Sequence, residues 1–119
     1  MNSVKFYGAE NCSSCLKAFK FLLNNRYPVD RVNIFETPPT KAELLKMLGY
    51  YKGNIRALFN TAGRVYQENN LKEKIPKMTE KEALEMLASN GRLVKRPFIL
   101  YKDVGLVGFD PKTWKTVLA

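Results

Sequence analysis

The feature that most constrains this chain is Cys12-Ser13-Ser14-Cys15, set between a strand pattern and a helix pattern. Val4 to Tyr7 is a short β-branched and aromatic run closed by Gly8, which reads as a strand. After the two cysteines, Leu16, Phe19, Leu22 and Leu23 recur with helical spacing. Asn24-Asn25 and Pro28 end that helix. Val29 to Phe35 then returns to strand character, with Val32 and Ile34 alternating against Arg31 and Asn33. Strand, helix and strand within 35 residues form a βαβ unit, with a parallel strand pair and a right-handed crossover. A thiol at the start of that helix meets unpaired backbone N–H groups and the positive end of the helix dipole, both of which favour the thiolate. A second thiol three residues on is within reach of the first, so a mixed disulfide can be resolved internally. The bland alternative is a pair of incidental thiols in a reducing compartment.

The rest of the chain alternates helix and strand signals. Thr37-Pro38-Pro39-Thr40 breaks the chain, Thr40 and Glu43 have capping-box spacing, and Leu44, Leu45 and Leu48 supply an apolar face. Gly49 and Gly53 bracket the end of that helix, and a short helix is expected from Asn54 to Phe59. Arg56 and Asn60 then stand one helical turn apart and share a side. Residues 60–78 read as turn-rich. Thr79 to Ala88 is helical, with a second capping box at Thr79 and Glu82, an inward face of Ala83, Leu84, Leu87 and Ala88, and Gly91 closing it. Pro97 to Tyr101 and Gly105 to Phe109 read as a hairpin turning at Lys102 to Val104. Asp110 and Pro111 suit the cap and first turn of a last helix carrying Trp114, Val117 and Leu118. The order is β-α-β, helices, then β-β-α. A CxxC after the first strand of such an α/β chain is the thioredoxin-like redox signature.

Composition removes competing chemistries. The chain has no histidine, which excludes Ser-His-Asp triads, Cys-His thiol pairs and imidazole metal ligands. Two cysteines alone cannot close a four-ligand zinc site, so no metal is expected. The formal charge is +9, but residues 1–60 carry 9 basic and 4 acidic side chains and residues 61–119 carry 11 and 7. With no basic tail or block, the charge reads as a solvated surface rather than a nucleic-acid groove; an oxyanion substrate or an acidic partner remains compatible with it. No apolar run approaches a membrane span. The opening MNSVKFYGAENC has no basic region followed by an apolar stretch, and a cytoplasmic protein, monomeric by its mixed surface, is expected.

A second candidate feature is Lys95-Arg96-Pro97, opening the penultimate strand. In a thioredoxin-type layout the start of that strand faces the helix N-terminus that bears the CxxC. Pro97 cannot donate a backbone hydrogen bond and leaves room for a substrate, while Arg96 stabilises a thiolate or holds an oxyanion. The alternative is a surface arginine beside a turn proline. Glu10 is a proton carrier near the thiols or a solvated loop residue, and Tyr50-Tyr51 packs over a helix end.

The NCSSC opening, PPTKAEL, IRALFN, YQENNLKEKIPKMTEKEALEMLASNG, LVKRPFIL and VGFDPKTWKTVL resemble the arsenate reductase (ArsC)/Spx family nearly end to end. The resemblance implies a single domain over residues 1–119. Its fold would be thioredoxin/glutaredoxin-like, with a central mixed sheet of about four strands, a helical insertion at approximately 37–92, a cis Pro97 and a nucleophilic Cys12. Arsenate reductases of the family use that thiol with glutathione and glutaredoxin, and three arginines around the oxyanion. Arg96 matches one of these. Asn60 stands at the second, with Arg56 one turn earlier as a partial substitute, and the third falls near Asp110. The Spx branch uses a CxxC switch and binds the RNA polymerase α subunit; Cys12, Cys15 and Arg96 fit that switch, and Gly53 matches a glycine of the polymerase contact. A third branch of CxxC proteins, called arsenate reductase-like or glutaredoxin-like, is the one this chain resembles most. The implied function is a thiol oxidoreductase in which Cys12, Cys15 and Arg96 do the chemistry and Arg96, Pro97, Arg56 and Asn60 hold the substrate. It would bind no cofactor and draw electrons from glutathione/glutaredoxin or thioredoxin. The alternative is a redox-sensing regulator that binds polymerase.

Overall fold

A strand buried on both faces needs pairing partners on both edges, and the first strand has them. In a computed structural model describing residues 3–118, β1 (Val4–Gly8) pairs in parallel with β2 (Val29–Asn33), Val4 opposite Val29 and Gly8 opposite Asn33. On its other edge β1 pairs antiparallel with β3 (Phe98–Tyr101), Phe6 opposite Ile99. β3 turns through Lys102-Asp103 into β4 (Val104–Val107), Ile99 opposite Leu106. The sheet is therefore mixed, in the order β2-β1-β3-β4. The expected α/β thioredoxin-like class is the one observed.

Helices cover both faces. On one side Val4, Phe6, Ile99 and Leu106 pack against α1 (Ser13–Asn24) and against Trp114 and Leu118 of α6 (Pro111–Leu118). On the other side Tyr7 and Phe98 meet α2 (Lys41–Tyr50) and α5 (Glu80–Ser89) through Leu44, Met47, Leu48, Ala83 and Leu87. Both expected capping boxes form: Thr40 with Glu43 and Thr79 with Glu82 exchange backbone and side-chain hydrogen bonds of 2.9–3.1 Å. Each satisfies two otherwise orphaned N–H groups. Lys5, Tyr7 and Glu43 tie the sheet to α2: Tyr7 Oη donates to Glu43 Oε1 at 2.6 Å, and Lys5 Nζ sits 2.8 Å from Oε2.

Several local expectations are corrected. The inner face of α1 is Cys15, Ala18 and Leu22, while Leu16 and Leu23 are about half exposed. The small residues let the helix approach the sheet closely, and that decides its rotation. In α2, Met47 is buried and Leu45 is exposed; in α6, Val117 points outward. β2 stops at Asn33, whose Oδ1 accepts from Phe35 N at 2.9 Å, although Ile34 N still donates to Gly8 O at 3.0 Å. Residues 60–78 are not simply turns: they hold α3 (Arg64–Glu68), α4 (Leu71–Lys74) and a 3-10 turn at Ile75–Lys77. The expected Asn54–Phe59 helix is a 3-10 turn at Ile55–Leu58.

Candidate active site

Cys12 is the N-cap of α1, in extended conformation at φ −132° and ψ 106°. Its sulfur accepts from Cys15 N at 3.3 Å and lies 3.4 Å from Ser14 Oγ. Cys12 and Cys15 are joined as a disulfide, with Cα atoms 5.2 Å apart. The two sulfurs differ in access. Cys15 belongs to the core at 4% exposure, whereas Cys12 is half-buried and lines a cleft. A molecule entering the cleft therefore reaches Cys12, with Cys15 directly behind it.

The opposite wall is built by a contact distant in sequence. Phe59 and Val94 form an antiparallel bridge, flanked by Asn60 N donating to Leu93 O at 2.7 Å and Lys95 N donating to Leu58 O at 2.9 Å. This clip sets Asn60 beside Lys95 and Arg96. The Arg96–Pro97 peptide is cis, and Pro97 O accepts from Gly108 N at 2.8 Å. Gly108 takes a left-handed φ of 69°, and a Cβ there would come within 2.9 Å of Lys95 Cε. The lysine stem thus runs over the bare glycine. Cys12, Ser14, Asn60, Lys95, Arg96, Gly108 and Phe109 enclose a cleft of about 310 Å³. Its lining holds two cations and no carboxylate.

Arg96 is the least satisfied group there. Its Nη1 is buried without a hydrogen-bond partner, and an orphaned buried donor of this kind costs free energy until an acceptor arrives. Burial, then the charge of Arg92, hold its pKa below the ordinary arginine value; the guanidinium stays protonated regardless. A cleft with a helix N-terminus, a free guanidinium donor and a lysine favours an anion: a thiolate, a carboxylate or an oxyanion.

A sequence model of the ArsC family matches residues 7–117. The chain belongs to the ArsC family. It is 40% identical over 107 residues to YusI of Bacillus subtilis, spanning 90% of this chain and 91% of that one. To the global transcriptional regulator Spx of Streptococcus agalactiae it is 26% identical over 107 residues, 90% of this chain and 77% of the regulator. The crystal structure of an ArsC-family related protein from Bacteroides fragilis superposes with a TM-score of 0.89 at 37% identity, covering 97% of each chain. The chain therefore has relatives both among ArsC-type proteins and among transcriptional regulators.

Of the residues singled out in the sequence, this ArsC-family site gathers Cys12, Arg96 and Asn60 on one cleft, with Cys15 behind Cys12. Pro97 is buried under the wall and is not among the cleft-lining residues. Arg56 is exposed and also lies outside the lining. It does not share a face with Asn60, because the 3-10 turn ends at Leu58 and Phe59 is extended at φ −91° and ψ 144°. Gly53 is exposed beyond α2 at φ 80°, with open space where a side chain would be. Asp110 caps α6, its carboxylate accepting from Thr113 Oγ1 at 2.6 Å and Lys112 N at 3.3 Å. Glu10 is exposed on a separate depression with Arg31 and Asn33. Sequence reasoning gave no role to Lys95, Ser14 or Phe109. The adjacency of Lys95 to Arg96 was its only signal.

Proposed function

We propose that this ArsC-family chain is a cytoplasmic thiol–disulfide oxidoreductase that works through Cys12 and Cys15. The observation that carries this reading is the half-buried Cys12 at a helix N-terminus, backed by buried Cys15, in a cleft with an unpartnered Arg96 donor. In the reduced protein the helix terminus favours the Cys12 thiolate. The thiolate attacks one sulfur of an oxidised substrate, forming a mixed disulfide and expelling the other substrate sulfur as a thiolate. Cys15, deprotonated, then attacks Cys12 Sγ; the substrate leaves as a second thiolate and the Cys12–Cys15 disulfide remains. Two electrons have moved to the substrate, and an external thiol donor (glutathione with glutaredoxin, or thioredoxin) returns them. Arg96 and Lys95 stabilise the anionic species on either side of each step.

Arsenate enters the same scheme if its arsenic takes the Cys12 sulfur with loss of water. Attack of Cys15 on that sulfur then leaves the electron pair on arsenic, as arsenite. With Asn60 on the cleft and Arg56 off it, the anion clamp here is Lys95 and Arg96 rather than a set of arginines.

NADPH consumption coupled through glutathione, glutaredoxin and glutathione reductase, and separately through thioredoxin and its reductase, tests this with bis(2-hydroxyethyl) disulfide or arsenate as oxidant. Turnover in excess of that given by the coupling proteins alone should vanish in Cys12→Ser, and Cys15→Ser should accumulate a Cys12–substrate adduct visible by intact mass. Unaltered turnover in Cys15→Ser would overturn internal resolution.

The similarity to Spx over 90% of this chain supports a second reading, a regulator whose disulfide sets its affinity for the RNA polymerase α subunit, with exposed Gly53 at the contact. Equal capture of α subunit by oxidised, reduced and Cys12→Ser protein would remove that redox switch.

A further inference from the structure

Phe35 has no part in the scheme above, yet two arginines converge on it. The Arg92 guanidinium carbon lies 4.5 Å from its ring centroid and that of Arg96 lies 5.0 Å away. The ring is held from both ends of its own backbone neighbourhood. Phe35 N donates to Asn33 Oδ1 at 2.9 Å. The turn Gly91–Leu93 lies directly on this segment, since a Cβ at Gly91 would be 1.9 Å from the Ile34 carbonyl oxygen. Despite that anchoring Phe35 is 37% exposed, so burial of its own apolar surface is not what fixes it there. Among the described residues, neither Arg92 nor Arg96 has a carboxylate within ion-pair distance. The electron-rich face of the neutral Phe35 ring is therefore what both guanidinium groups are set against.

We propose that Phe35 is a positioning residue for the Cys12 site: its ring is the platform that holds the Arg96 guanidinium at the cleft, with Arg92 on the same ring. Guanidinium groups stack on aromatic faces with their N–H donors left free at the edges, which accounts for an Arg96 Nη1 that is buried and yet uncommitted. Arg92 adds repulsion that an anion in the cleft relieves, a smaller contribution than burial to the lowered Arg96 pKa. The inference rests on the reading that Arg96 stabilises anionic sulfur at Cys12, so its test must separate the two.

The readout is the pH dependence of iodoacetamide alkylation at Cys12 in the reduced full-length protein, quantified by mass spectrometry for wild type, Phe35→Leu, Phe35→Tyr, Arg96→Gln and Phe35→Leu/Arg96→Gln. Leucine keeps apolar bulk at an already exposed position and removes the π face; tyrosine keeps the face. Phe35→Leu should raise the midpoint by at least half as much as Arg96→Gln does. For a half-unit shift, that is about a threefold slower reaction one pH unit below the wild-type midpoint. Phe35→Tyr should follow wild type, and Phe35→Leu should add nothing once Arg96 is glutamine. A midpoint moved by Arg96→Gln but not by Phe35→Leu would overturn the platform and leave Arg96 its role. No movement in either would overturn both. An equal Phe35→Leu shift with and without Arg96, or tyrosine behaving as leucine, would also refute it.

Discussion

Removing the Glu43 carboxylate should cost far more than a surface charge on a helix would suggest, since its side chain is only 17% exposed. Glu43 closes the capping box with Thr40, accepts from Tyr7 Oη at 2.6 Å and pairs with Lys5 at 2.8 Å. Tyr7 is 1% exposed, so Glu43→Ala leaves its hydroxyl proton without its acceptor, at about 1–3 kcal/mol. Losing the N3 half of the capping box adds about 0.5 kcal/mol, and losing the partly exposed Lys5 pair about as much again. The total is about 2–4 kcal/mol. For a 119-residue chain, each kcal/mol shifts Tm by about 4 °C, so Tm should fall by about 8–16 °C. A double-mutant cycle isolates the main cause: with Tyr7→Phe already present, Glu43→Ala should cost about 1–2 kcal/mol less. Equal costs in the two backgrounds, measured by urea unfolding, would refute the reasoning. The pH dependence supplies an independent arm. Burial pushes the Glu43 carboxyl up, but hydrogen bonds from Lys5, Tyr7 and Thr40 outweigh it and hold the pKa below the ordinary value. A depressed folded pKa stabilises above the unfolded pKa, and that stability is lost as pH falls through the folded value. Between about pH 5 and 3, wild type should therefore lose more stability than Glu43→Ala does.

Two further substitutions probe how the backbone builds the site. Gly91→Ala puts a Cβ 1.9 Å from the Ile34 carbonyl oxygen; since both sides of that contact are backbone, unfolding should become easier by roughly 2–4 kcal/mol, read as a lowered Tm. Gly108→Ala imposes a side chain at φ 69° and crowds Lys95 Cε, costing about 1 kcal/mol of stability; because it shifts a cation that faces both Cys12 and the cleft, KM for an anionic oxidant should rise and Cys12 alkylation at a fixed pH should slow.

The order of elements was legible because each start carries its own local chemistry. Thr40 and Thr79 open α2 and α5 through capping boxes, Asp110 opens α6, a short β-branched and aromatic run marks β1, and alternation marks β2. What stayed hidden depends on the distant chain. Leu16 and Leu23 look like core in a helical wheel, but the sheet takes the Cys15 and Ala18 side because those residues allow close approach. α3 and α4 span five and four residues, too short for a 3.6-residue period to register. The pairing of Arg56 with Asn60 failed because the turn between them is 3-10 and ends before Asn60. Cys12, Cys15 and Arg96 were legible from spacing and from the layout of a redox fold. Lys95 and Phe35 were not, because the first depends on the Phe59–Val94 bridge and the second on side chains from another turn.

Asp110 shows why a site should be judged by where charges are spent rather than by which residue types align. Set against an arginine, it looks like an acid opposing an anionic substrate. In the fold its carboxylate is engaged by Thr113 and Lys112 at the start of α6, and that engagement, led by the Thr113 hydrogen bond, lowers its pKa. It takes no place on the cleft lining. The cleft instead carries Lys95, Arg96 and the N-terminus of α1, so its local field is positive for reasons unrelated to the overall charge of +9. A thiolate at Cys12 and any anion bound beside it would be stabilised by the same three features. The affinity of this chain for anions should therefore follow Lys95 and Arg96 and be indifferent to neutralising Asp110, beyond the loss of its helix cap.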